Sequence, residues 1–571
     1  MAVPEKGALR PHRHPAKRLP FELVQHVTIF FEEKLHTQAL GLLLNVLTTD
    51  SKASTPIIIP SPQHLALAAT FLVHPSTTGR PKTNEEEEAP SVSLRLLRLV
   101  NNLVGPINAQ FGRAFAFRHF ETSRHGGRRH FDDSTTNGLA ANGEKRLDLD
   151  KDIDIDLANS ASVWSRAEDF WHAVGWAFNC AVLHPARWEH WRNWLEFMCE
   201  VLEEDWDERW RRREEDPSHN DRILKESMVF QYITNSNAGF GRNRRILRSV
   251  FADGTASSAN EFREVFHREL KLSQKKASKE KESRKRGAAV NIDAEEYGDF
   301  YLRSDEEEED GSSGRESKRP RRERATRSTR KTAAAAATPT SNPTTDSRTT
   351  PDPTHASSLL GDATSLALRQ RLIHLLSTVS QFFPKDFMDL QDLYHFLVEF
   401  IRPLPLPIYQ AFISPLALPY FSPAAHSTLA EYILFNLRET SAPQTDDEYL
   451  TQAKLEKCFL PYATASSSLS DNVKMSLALE ALIILLADSN MLHVTEKTKR
   501  LTSQGIIRRA QNAQHEGRKN QVARMSEDME WSWLGESAER LTFLVEEVIP
   551  TIDSAGVSAK GSSFSSPAPG P

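Results

Sequence analysis

The chain has 571 residues, 39% of them apolar, and a formal net charge of −6. Such a length allows about four domains, and the charge excludes a polycation that seeks nucleic acid over its whole surface. Three cysteines, Cys180, Cys199 and Cys458, form no C-x-x-C pair, which argues against a disulfide frame and for a reducing compartment.

Residues 1–20 contain basic side chains but no apolar run before Phe21, so they read as a flexible basic N-terminus and not as a secretory signal. Phe21 to Leu47 repeats apolar residues at steps of three and four, the signature of a helix with one buried face. Gln63 to Val73 and Val92 to Val104 read as further helices, with a polar loop containing Glu85 to Glu88 between them. Residues 121–160 are poor in large apolar side chains and read as a long mobile insertion.

Its last part, LDLDKDIDIDL, alternates acid with aliphatic. No calcium loop fits, because no start places glycine sixth and glutamate twelfth. The run Ile153, Ile155 and Leu157 is similar to a SUMO-interacting motif, a peptide that adds as a strand to a partner's sheet edge. The competing reading is a plain acidic linker.

Eight of the ten tryptophans lie between Trp164 and Trp210. Ala167 to Leu183 and Arg187 to Trp206 read as antiparallel helices joined at His184-Pro185. In the second, Trp188, Trp191, Leu195, Met198, Leu202 and Trp206 form one stripe, and Trp194, Phe197 and Val201 form another beside it. An aromatic cage or a base-stacking platform would use such indoles. Two stripes on neighbouring faces favour a packed wall on an inner helix. Ile223 to Ile233, Asn243 to Phe251 and Glu261 to Leu272 complete an N-terminal helical block, 21–272. Within it, GFGRNRRILRSVF opens a helix with Arg242, Arg244, Arg245 and Arg248. That is either a turn followed by a solvated basic face or an anion site for a nucleic-acid backbone or an acidic peptide. The third glycine and the preceding strand of a nucleotide loop are missing.

From 273 to 358 the composition collapses. Eight Lys or Arg lie between Lys271 and Arg286, six consecutive acids run from Asp305 to Asp310, and eight more Lys or Arg lie between Lys318 and Lys331. Such a stretch lacks the apolar surface to offset its chain entropy and reads as a disordered charged linker. Lys318, Arg319, Arg321, Arg322 and Arg324 form a nuclear import signal by composition, with a solvated charge run as the bland alternative. Ser304, followed by acids, fits an acidophilic-kinase phosphosite.

Helical patterns return at Leu366 to Phe383, Phe387 to Ile401, Ala424 to Leu437, Leu450 to Phe459, Asn472 to Ala487 and Met529 to Val548. They form a C-terminal block, 359–550, and 551–571 reads as a disordered tail. A proline-rich apolar connector from Arg402 to Pro423 should lie against these helices. No segment of a folded block alternates as a strand, so the expected class is all-α, with helix pairs stacked in one or two arrays. At Ser470 to Leu486, Asp471, Val473, Lys474, Ala478 and Ala481 resemble the second helix of a HEAT-type repeat; the resemblance covers one repeat and implies a helical scaffold. The most apolar run, Leu477 to Ala487, contains Glu480 and is too short to span a bilayer.

No G-x-S-x-G, H-E-x-x-H or zinc-ligand spacing occurs, and neither catalysis, a cofactor nor a membrane is expected. The sequence therefore points to a soluble nuclear scaffold that binds partner proteins, with an import receptor as one partner. Direct nucleic-acid binding through the basic residues is the alternative.

Overall fold

The computed structural model describes residues 13–49, 55–117, 153–215, 220–236, 241–271, 360–415, 421–445, 450–514 and 521–549. It is all-α, as the periodicity predicts, apart from two three-residue strands among the described residues. The residues before and after the charged segment belong to one compact unit.

The first long amphipathic pattern folds as two helices, α1 (Phe21–Glu32) and α2 (His36–Thr48). Lys34 takes a left-handed conformation at φ 61° between them, so the chain reverses while both halves keep their apolar faces inward. After α3 (Pro62–Phe71) and the single turn α4 (Pro75–Thr78) comes α5 (Asn84–Asn108). It starts earlier than its apolar pattern and absorbs Glu85 to Glu88. Thr83 caps it, three acids sit in its first turn, and Glu85 accepts a 2.7 Å bond from the Thr37 amide. Acids at a helix start are favoured by the axial dipole, which a loop assignment overlooks.

A short turn, α6 (Phe111–Ala114), ends this part. Ile153 is buried and Ile155 and Leu157 pack partly against the core, so the expected insertion does not extend to residue 160. The helical turn α7 (Val163–Arg166) leads into α8 (Phe170–Leu183), and Pro185 starts α9 (Pro185–Glu215). Trp171, Trp191 and Trp194 are among the largest fully buried side chains. Burial of each such ring contributes on the order of 2–3 kcal/mol before entropy is counted. The tryptophans are therefore a packed wall.

The acidic side of α9 is equally engaged. Arg98 from α5 pairs with Glu200 at 2.9 Å, and Arg13 pairs with Glu204 at 2.7 Å. In α14 (Ala363–Phe382), Arg371 pairs with Glu203 at 2.6 Å. Thus α9 touches neighbours on several sides, as an inner helix must.

The next pattern splits into α10 (Asn220–Lys225) and α11 (Met228–Thr234), because Ser227 caps the second helix and Asp205 takes the Met228 amide at 2.8 Å. Then come α12 (Arg242–Val250) and α13 (Ala256–Glu261). The helix expected over Glu261 to Leu272 does not form among the described residues: α13 ends at Glu261, and residues 262–271 are turns and irregular backbone. Phe262, Val265 and Phe266 are buried there, and Arg268 turns left-handed at φ 54°, which brings Glu269 inward.

The C-terminal part comprises α14, α15 (Leu390–Ile401), α16 (Leu406–Ile413), α17 (Pro423–Leu437), α18 (Gln452–Cys458), α19 (Leu469–Asp488), α20 (Glu496–Gln514) and α21 (Gln521–Phe543). Part of the proline-rich connector is α16, and it packs on α19 as expected. The HEAT-like segment is α19, surrounded by α16, α17, α20 and α21, with Ala478 and Ala481 buried. α20 has mostly polar residues and no sequence pattern announced it; the buried Gly505 brings it against the Leu460 carbonyl.

Candidate functional site

The described residues stop at Lys271 and resume at Leu360, on either side of the charged segment. Both roots are fixed on the tryptophan-rich helices. At the outgoing root, the buried Glu269 carboxylate collects five hydrogen bonds. Its Oε1 accepts from Arg187 Nε at 3.0 Å, Arg187 Nη2 at 2.6 Å and Trp191 Nε1 at 2.7 Å. Its Oε2 accepts from Trp176 Nε1 at 3.0 Å and the Phe266 amide at 3.2 Å. Arg187 also donates to Thr78 Oγ1 and Val73 O, so a buried charge pair is bonded on all sides.

At the incoming root, Trp188 Nε1 donates to Asp362 Oδ2 at 3.1 Å, while Asp362 Oδ1 caps α14 through the Ser365 amide. Gly361 adopts φ 89° where a Cβ would crowd Ala181, so this entry needs glycine. Trp188 and Trp191 stand one turn apart on α9, a rise of about 4.5 Å. The two indoles therefore hold the chain before and after the charged segment near each other.

Arg369 of α14 locks the same region. It is fully buried and donates to the carbonyls of Val250, Ala252 at 2.9 Å and Leu360 at 3.2 Å, with its guanidinium 4.0 Å from the Phe178 ring centre. Burial lowers its pKa to about 9. It thereby ties the end of α12, before the charged segment, to the chain just after it.

The four arginines proposed as an anion site are all engaged within the body. Arg242 Nη2 donates to Asp386 O at 2.9 Å. Arg244 pairs with Glu399, Arg245 with Asp169 at 2.6 Å and Glu168 at 2.9 Å, and Arg248 with Glu261 at 2.7 Å. With Asn243, which donates to Phe387 O at 2.8 Å, Arg242 and Arg244 stitch α12 to the C-terminal helices. The packing continues through Phe251 on Phe400, with centroids 5.1 Å apart, and Phe230 on Phe383 at 4.9 Å.

Ile153, Ile155 and Leu157 lie in a series of turns against the core, not in an extended strand. Asn159 Nδ2 donates to the carbonyls of Ile153 and Ile155, which shapes that turn. A partner's sheet edge would have to extract Ile153 first. Lys318, Arg319, Arg321, Arg322, Arg324 and Ser304 lie outside the described residues.

The concavities among the described residues include two with titratable linings. One, of about 640 Å³, is bounded by Phe117, Asp169, Phe170, Asp205, Met228 and Tyr232, among others. Phe170 stacks on Tyr232 with centroids 4.6 Å apart, and Phe117 meets Tyr232 edge-on at 5.6 Å. Burial raises the Asp205 pKa, against the opposing pull of Arg209. The other, of about 580 Å³, lies among Arg402, Asp471 and Lys474, where burial lowers the Lys474 pKa. Trp188, Trp191 and Trp194 line neither concavity.

The described His, Cys, Asp and Glu residues form no group of three placed to hold a metal ion. No described helix is long and apolar enough to cross a membrane. Burial raises the Cys180 and Cys199 thiols well above their usual range and lowers His172.

Sequence reasoning missed Arg13, Arg187, Glu269 and Arg369, the charges that organise the body. Only Arg187, next to Trp188 at a helix start, carried any local signal. Comparison with protein-family models and with curated proteins gives no match to this chain.

Proposed function

We propose that this protein is a nuclear α-helical scaffold. Its rigid body binds partner proteins in a chromatin-associated or ribosome-assembly complex and displays the charged segment 273–358 from two adjacent roots. The observation that carries this reading is the joint anchoring of Glu269 and Asp362 on α9. The chain on either side of the segment is thus held by buried indoles of one helix, and the composition of its basic clusters suits an import receptor. The acids that follow Ser304 give a phosphosite there the means to deepen the local negative charge.

The neutralisation of Arg244, Arg245 and Arg248 by carboxylates weighs against a folded nucleic-acid site. Direct binding through the linker clusters would be loose and would fade steeply with salt.

The test is a fluorescent fusion in which Lys318, Arg319, Arg321, Arg322 and Arg324 become alanine. The reading expects nuclear accumulation to fall, while the purified variant still forms the same stoichiometric complexes as the parent. Unchanged accumulation removes this cluster as the import signal. A parent protein that forms no stoichiometric complex removes the scaffold.

A further inference from the structure

Residues 13–20 are not the free basic tail that composition predicts. They form a strap across the body. Arg13 inserts its guanidinium between Glu204, at 2.7 Å, and Glu208 on α9. His14 donates its amide to Leu103 O at 2.8 Å, and Ile57 donates its amide to Pro15 O at 2.9 Å. The strand β1 (Ala16–Arg18) then pairs in parallel with β2 (Ile57–Ile59), and all three β1 side chains are exposed. Leu19 closes the strap as its one buried apolar anchor.

The receiving side is shaped for this peptide. α5 is broken at Gly105, whose φ of 77° and ψ of 166° lie outside helical geometry. A Cβ at that position would overlap the Arg13 guanidinium, so glycine serves both the turn and the close approach. Pro106 follows and cannot donate to the preceding turn. Glu208 is almost wholly buried and also holds Arg212 at 2.6 Å. A guanidinium slot, a backbone acceptor and a strand edge thus converge on one extended segment, the features by which grooves recognise peptides.

We propose that the cleft between the α5 break and α9 is a receptor for an extended, arginine-bearing peptide of a partner protein, and that the chain's own N-terminus occupies it as a displaceable cis ligand. The attachment rests on three strand residues, two further backbone bonds, one buried leucine and an ion-pair cluster partly exposed at Arg13 and Glu204, which is small beside the core of the body. Tethering compensates, because a short covalent link gives an effective concentration on the order of millimolar. A partner peptide therefore enters only when it binds more tightly than the strap or when the strap is withdrawn.

The experiment uses a fluorescent peptide with the sequence of residues 9–20, titrated into the full-length protein and into full-length Arg13→Ala. The proposal expects the variant to bind at least tenfold more tightly than the parent. The same peptide with alanine in place of Arg13 should bind neither. Equal affinity for the two proteins, or equal binding of the two peptides, overturns it. Should Arg13→Ala fail to fold, hydrogen exchange on the parent decides instead. The amides of Ile57 to Ile59 should then exchange at least a hundredfold faster than those at the centre of α9. Equal protection would mean the strap opens only with the whole fold, which also overturns the proposal.

Discussion

Glu269→Gln is the smallest change that attacks the tryptophan wall. The side chain keeps its shape, but one of its two acceptor oxygens becomes a donor. If the amide nitrogen sits at Oε1 it faces Arg187 and Trp191; at Oε2 it faces Trp176 and the Phe266 amide. Either orientation sets donor against donor, and the buried Arg187 loses its counter-charge. Breaking a buried pair in this way costs about 3–5 kcal/mol. Arg187 keeps Thr78 and Val73 as acceptors, which places the expected cost near the lower end. At about 2 cal/mol/K per residue, a body of several hundred residues has a melting entropy near 1 kcal/mol/K, so the midpoint should fall by about 3–4 °C. Thermal denaturation followed by tryptophan emission reads this directly. Glu189→Gln on the exposed side of the same helix is the control, and it should shift the midpoint by under about 1 °C. A shift no larger for Glu269→Gln than for that control would refute the buried-hub account.

Burial lowers the pKa values of His64 and His74 to about 4, against an ordinary 6.5. Each is neutral in the folded state where the unfolded chain is protonated. Their contribution to stability is therefore complete above pH 6.5 and lost as pH falls toward 4. At about 1.4 kcal/mol per pH unit for each histidine, His64→Leu should flatten the pH dependence between pH 6.5 and 4 by that slope; denaturant titrations at several pH values would reveal an unchanged slope if the argument is wrong. Arg369→Met leaves the carbonyls of Val250, Ala252 and Leu360 without their donor and should destabilise by about 3 kcal/mol, read as a lower urea midpoint. Changing Arg244 and Arg248 together to alanine should leave the salt dependence of any nucleic-acid binding unaltered in a filter assay, because Glu399 and Glu261 already neutralise both side chains.

The helical class was legible because burial imposes a period on apolar residues, and α8 and α9 show it plainly. The tryptophan stripes were legible as core for the same reason. What the pattern could not carry was long-range charge. Glu269 sits in a segment that looks helical by period yet folds as turns, because its carboxylate must reach Arg187, Trp176 and Trp191, far away in sequence. The arginines of α12 read as a solvated or anion-binding face because their carboxylate partners come from three separate places in the chain: Glu168 and Asp169, Glu261, and Glu399. Residues 13–20 read as tail because a strap of eight residues has no period at all. α20 escaped notice because its packing rests on Gly505, Thr498, Thr502 and the fully buried Arg509, none of which marks an apolar face.

The central claim is that the charged segment is an excursion from one folded body, with both roots held on α9. A single protease site placed between residues 273 and 350 of the full-length protein tests it most directly. After cleavage the two fragments should elute together in size exclusion and melt in one transition near that of the uncut chain. Fragments that separate without denaturant, or that melt independently, would contradict it.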